Sequence, residues 1–230
     1  MITKLPAWVM LGGMLLSFIA GYVNAIGFIS VQHQAITHLT GVISQLAIHL
    51  AVNDLPQGWH LLCVLGSFFM GCIISGALIQ QSTLKLGRRY GVALLIEALL
   101  LFAAIPLLQD NNPLGDYLAS LAFGVQNAMA STYSGALLRT THLTGFVTDF
   151  GIALGHLVRG LPIDRLRFGL YGLITLSFLS GGIVGARLFL LWSFSALYGP
   201  ALLLFVLGLI YLGFAHYMRA SGKWPAPDAA

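Results

Sequence analysis

THLTGVISQLAIHLAV (37–52) and THLTGFVTDFGIALGHLV (141–158) open on the same polar, glycine-ended pentapeptide and continue as short apolar runs. At 1.5 Å per residue, an apolar helix of about 13 residues covers about 20 Å, short of the ~30 Å hydrocarbon core of a bilayer. Each run therefore predicts a re-entrant half-helix rather than a full crossing.

The rest of the chain has the composition of a membrane protein. Of its 230 residues, 58% are hydrophobic and 8% charged, and the mean hydropathy is +0.88, whereas a soluble domain carries roughly a quarter charged residues. Six stretches, approximately 8–30, 59–82, 90–108, 114–135, 168–190 and 197–217, are long and apolar enough to cross. The first run continues past a signal-peptide core without a small-x-small exit, which predicts a signal anchor. Cys63 and Cys72 share one apolar segment without metal or redox spacing and read as packing residues.

The isoelectric point near 9.3 does not point to nucleic acid, because the basic residues fall between apolar segments. With six spans, Lys4, Lys85, Arg88, Arg89, Arg139, Arg159, Arg165, Arg167, Arg219 and Lys223 share one side. The opposite loops hold Asp54, Asp110 and Asp116. With eight spans, the basic KLGRR loop would oppose Lys4 and the tail. The asymmetry predicts six spans with both termini cytoplasmic. Arg187 lies about one turn from the outer end of the fifth span, placed to snorkel to the headgroups or to pair with Glu97.

The similarity of the two halves extends beyond the pentapeptide. AGYVNAIGF (20–28) matches FGVQNAMAS (123–131), pairing Asn24 with Asn127, and FFMGCIISGA (68–77) matches FLSGGIVGAR (178–187), pairing Gly71 with Gly181. Each half, about 8–108 and 114–217, reads as long, short, long and long helix. Three crossings per half make the second inverted relative to the first, the plan of many secondary transporters. The expected fold is an all-α membrane protein with six transmembrane helices, two short re-entrant half-helices and two inverted repeats. It forms one integral domain over 1–217, with a disordered cytoplasmic tail at 218–230.

The AGYVNAIGF…THLTG and GVQNA…TTHLTG…TD pair resembles the YoaK-like family of bacterial membrane proteins, defined by a domain of unknown function (DUF1275). The resemblance covers about 10–215 and implies a multi-pass protein of the bacterial inner membrane, without an established substrate. The chain departs from the family pattern at Asn24, where an acid is common, and at Val42, where an Asn is.

The candidate site follows from the inverted plan. Thr40 and Thr144 each stand where a hydroxyl could cap the short helix that follows. Gly41 and Gly145 leave room for backbone or solute to approach. Half-helices entering from opposite sides bring their partly positive N-termini together near the midplane, which suits a small polar or anionic solute. His38 and His142 lie inside the pentapeptides, as solute ligands, proton carriers or partners of nearby carbonyls. Asn24, Gln126 and Asn127 must hydrogen-bond within the bundle, lining the cavity or bracing the irregular backbone. Asp149 and Glu97 are the acids expected to carry a coupling proton, since a charge in the membrane is costly and usually functional.

No zinc, nucleophile-elbow, P-loop or dinucleotide motif is present, so neither an enzyme, a metal nor a cofactor is expected. The expected function is a small-solute transporter, proton-coupled through Asp149 or Glu97. A passive channel is the alternative within transport, and a non-transporting scaffold or receptor the alternative outside it. The bilayer and a small polar or anionic solute are the expected partners. Six short spans leave little protein to move against itself, which suggests a homodimer.

Overall fold

The computed structural model describes residues 7–30, 39–79, 88–134 and 139–221. Among them the chain is all-helical, with no strand. The helices are α1 (Ala7–Ile29), α2 (Leu39–Ala51), α3 (Leu55–Leu78), α4 (Arg88–Gln109), α5 (Leu114–Tyr133), α6 (Leu143–Val158), α7 (Arg165–Trp192) and α8 (Tyr198–Ala220), and a 3-10 turn, Ser193–Leu197, joins the last two.

The two short helices end alike. After α2, Asn53 takes a left-handed conformation (φ 57°), the Asp54 amide donates to the His49 carbonyl at 2.9 Å and the Asn53 amide to Leu50 at 3.2 Å. After α6, Gly160 takes the same conformation (φ 70°), with Leu161 donating to His156 at 2.9 Å and Gly160 to Leu157 at 3.0 Å. Both are Schellman turns, which satisfy the last carbonyls and reverse the chain. Each leads into an acid that starts the next long helix. The Asp54 carboxylate accepts from the Gln57 amide ahead of α3, and that of Asp164 accepts from Leu166 and Arg167 ahead of α7.

The expected threonine caps are not formed. Because α2 starts at Leu39 and α6 at Leu143, Thr40 and Thr144 fall inside the first turn, and His142 precedes α6 without a side-chain capping bond. The threonine carbonyls instead accept hydroxyls one turn on, Thr40 from Ser44 at 3.0 Å and Thr144 from Thr148 at 2.8 Å.

Long-range contacts fix the helix directions. Ser17 of α1 donates to the Ile174 carbonyl of α7, and Gly21 and Tyr22 lie against Phe178 and Gly185, so α1 and α7 run parallel. His60, Ser120 and Gly124 make the equivalent ladder, meeting Tyr117, Val64 and Phe68 in turn, so α3 and α5 are also parallel. Gly91 meets Leu212 while Gly208 meets Leu95, which sets α4 antiparallel to α8. One end of the bundle thus collects the ends of α1, α4 and α7 and the starts of α3, α5 and α8, as the bond from Gln109 to Ser195 at 3.0 Å illustrates. Both ends of the α1–α3 connection lie there, and both ends of the α5–α7 connection lie at the other end.

The short helices fold back along their successors. Val42 packs with Leu61 and Val64 and Leu50 approaches Gly58, so α2 runs antiparallel to α3. Phe146 stacks on Tyr171 (4.8 Å between ring centres) and Phe150 on Phe168 (4.3 Å), which sets α6 antiparallel to α7.

This is a helical protein of membrane type. Four stretches are long and apolar enough to cross a bilayer, Met10–Ile29, Leu55–Leu78, Arg89–Gln109 and Arg165–Ala220, the last divided into α7 and α8 by the 3-10 turn. Helix α5 has the length but is not among them. It carries Asp116, Gln126 and Asn127, and it buries its polar groups between α3, α4 and α1 rather than showing an apolar face. Long apolar side chains such as Phe69, Ile73, Leu176, Leu190, Leu209 and Ile210 are exposed on α3, α7 and α8, as surfaces covered by lipid would be.

Candidate functional site

A cavity of about 600 Å³ opens where the two short helices begin. Leu39 and Thr40 of α2 form one wall, and Thr144, Gly145, Thr148 and Asp149 of α6 another. Phe68 and Cys72 of α3, Asn127, Ala128 and Ser131 of α5, and Arg139, Thr141 and His142 ahead of α6 complete it. Phe68 and Asn127 each stand about 20 Å along their helix, so the cavity opens well away from the end of the bundle where α3 and α5 begin.

Hydrogen bonds hold the chain entering α6 in place. Thr140 is the hub. Its hydroxyl donates to the Asn127 side-chain carbonyl at 3.0 Å and accepts from the Gln126 amide at 3.1 Å, while its backbone carbonyl accepts from Ser17 at 3.2 Å. The Asn127 amide donates to the Thr141 hydroxyl, and Gln126 also donates to the Leu16 carbonyl at 3.1 Å. Non-helical backbone at this depth must be satisfied by protein or face a polar cavity, and these side chains supply the first. The amides thus divide by role. Gln126 is fully buried behind the wall and braces the segment, whereas Asn127 both braces it and lines the cavity.

Gly145 lies under the exposed His142 side chain. A β-carbon there would stand 2.4 Å from the His142 imidazole, which folds over the first turn of α6 and meets Phe146 edge-on. Gly41, in contrast, has open space beside it and does not line the cavity.

Two charges of opposite sign reach the space. Asp149 is exposed on α6, beside and within electrostatic reach of Tyr171. Arg139, expected in a basic cytoplasmic loop, lies on the wall. Neither Arg139 nor Arg159 pairs with Asp149. The ion pairs among the described residues lie elsewhere, at His49–Asp54, His60–Asp116 and Arg167–Asp164.

Other expected site residues lie apart. Asn24 is buried on α1 away from this cavity. Glu97 is fully buried in α4 with no hydrogen-bond partner among the described residues, so of the two readings of Arg187, which is exposed on α7, the pairing with Glu97 is not made. His38 lies outside the described residues, as do Lys4, Lys85 and the tail from 222 onward. Among the described residues no cluster of His, Cys, Asp and Glu stands where it could hold a metal.

The sequence did not single out Arg139, although a cation immediately before TTHLTG was a readable signal. It also missed a second polar cluster. Asp116, expected in an outer loop, is buried in the first turn of α5, with its carboxylate 3.9 Å from the His60 imidazole. The other ring nitrogen of His60 meets the Tyr117 hydroxyl at 3.1 Å. No periodicity links residues 60 and 116; only the parallel packing of α3 on α5 does.

The chain matches the family described as "Protein of unknown function (DUF1275)" over residues 12–210. No curated protein and no solved structure matches it. It belongs to that family.

Proposed function

We propose that this member of the DUF1275 family is a small-solute transporter whose binding site is the cavity between the starts of α2 and α6. The observation that carries the proposal is that Thr40 and Thr144, equivalent residues in two corresponding stretches of sequence, line one space. Two helix N-termini facing a shared cavity offer free backbone amides and partial positive charge to a polar solute. Hydroxyls from both helices, the Asn127 amide and the Arg139 guanidinium add directional partners.

The packing supports two inverted repeats. Gly21 lies against Phe178 and Gly181 against Phe18, and the matched Gly124 lies against Phe68 and Gly71 against Leu121. The Ser17 bond to Ile174 has its counterpart in Ser120 to Val64. The first long helix of each half thus packs on the third helix of the other half, in the same register. The alternating directions of the six long helices support six crossings, with α2 and α6 re-entrant from opposite faces. The end that carries Arg89, Arg159, Arg165, Arg167 and Arg219 is then cytoplasmic, by the positive-inside rule. Asp149, rather than the sealed Glu97, is the acid that a solute or a coupling proton meets.

Substrate-independent labelling tests this. With Cys63 and Cys72 replaced by Ala, a Thr144→Cys variant in vesicles is treated with a membrane-impermeant maleimide from each face in turn. Alternating access requires labelling from both faces. Labelling from neither face would sink the transport reading and favour a sealed scaffold, and labelling from one only would sink it in favour of a receptor open to that face.

A further inference from the structure

The cavity is divided by chemistry as well as by helix. Phe68, Cys72 and Leu39 form an apolar side. The polar side brings Arg139 together with the start of α6, both positive, and sets Asp149 four residues beyond Gly145, about 6 Å further along the helix. Opposite charges that share a cavity without pairing are available to a solute that carries both. A simple anion would leave Asp149 facing its own charge, and a simple cation would face Arg139 and two helix N-termini. An uncharged solute would leave Arg139 without a counter-charge and Asp149 with only the neighbouring Tyr171.

We infer that the solute is a zwitterion of α-amino-acid type with an apolar side chain. Its carboxylate is held by Arg139 and the first turn of α6, its ammonium by Asp149, and its side chain lies against Phe68, Cys72 and Leu39. The guanidinium fork suits a carboxylate better than a point charge would. An ammonium supplies three donors for the Asp149 carboxylate and neighbouring hydroxyls. A cavity of about 600 Å³ is within the range usual for small-molecule sites. The inference rests on the transport reading of this cavity and assigns its substrate class.

The test uses the full chain purified in detergent and calorimetric titration with leucine, methionine and phenylalanine. Each is compared with its deaminated carboxylate and its decarboxylated amine. At least one amino acid is expected to bind, with both of its analogues at least tenfold weaker. Asp149→Asn should weaken the amino acid about tenfold and leave the carboxylate unchanged, while Arg139→Gln should weaken the amino acid and leave the amine unchanged. Both residues are exposed, so neither change empties a packed core. A carboxylate that binds as tightly as its amino acid, with no effect of Asp149→Asn, overturns the zwitterion and leaves an anion site in the same cavity. If none of the compounds binds the parent chain the substrate class is wrong, and maleimide labelling at Thr144→Cys then shows separately whether the transport reading fails with it.

Discussion

A β-carbon on Gly71 would stand 2.1 Å from the Leu121 carbonyl oxygen, and one on Gly181 would stand 2.0 Å from that of Phe18. Both obstacles are helix backbone, so relief requires the helices to separate. Association in lipid depends on close packing, because the solvent is as apolar as the side chains. Gly71→Ala and Gly181→Ala are each expected to destabilise the bundle by about 1–3 kcal/mol, read as a lower thermal midpoint in detergent. Gly76→Ala is the control, since nothing lies within 4 Å of the added carbon and its midpoint should hold. The sequence marked Gly71 with Gly76, and Gly181 with Gly185, as two small-residue faces. Spacing alone could not tell that Gly76 faces open space while a β-carbon on Gly185 would stand 2.4 Å from the Tyr22 carbonyl oxygen.

The short helices show what a sequence exposes at the level of an element and what it conceals. Their shortness follows from the apolar runs after each pentapeptide. The start of α6 was misplaced by one residue, and Thr40 and Thr144, the two supposed caps, lie inside their helices. At α6 the cause is physical: the chain entering the helix is held by tertiary bonds from Ser17 of α1 and from Gln126 and Asn127 of α5, and no local pattern displays those. In the entry to α6, the Thr140 hydroxyl should therefore be coupled to Asn127 rather than independent of it. Thr140→Val and Asn127→Leu are each expected to cost about 1–3 kcal/mol, since each leaves buried polar partners unsatisfied. The double variant should cost less than the sum, with a coupling of at least ~0.5 kcal/mol. Unfolding midpoints of the four proteins of this cycle give the number, and strict additivity would mean that the segment is held by something other than this network.

At the scale of the whole molecule, the chain's direction through the membrane separates the two layouts that its hydropathy allows. If α2 and α6 cross fully, the turns after α2, after α4 and after α6 all face the same side. If both are re-entrant, the first two turns share a face and the third lies opposite. The helix directions favour the second layout, because α1 ends and α3 starts at one end of the bundle while α5 ends and α7 starts at the other. Half-helices that return to the face they entered also account for the Schellman turns at Asn53 and Gly160, which reverse the chain at opposite ends. Single cysteines at Val52, Leu114 and Leu161, all exposed, report these three turns in a background with Cys63 and Cys72 replaced. An impermeant thiol reagent applied to intact cells is expected to reach Val52→Cys and Leu114→Cys and to spare Leu161→Cys, with the pattern reversed in inverted vesicles. Equal protection of all three positions on one face would restore the eight-span layout. It would also remove the inverted relation between the halves, since four crossings per half return the chain to the side from which it began.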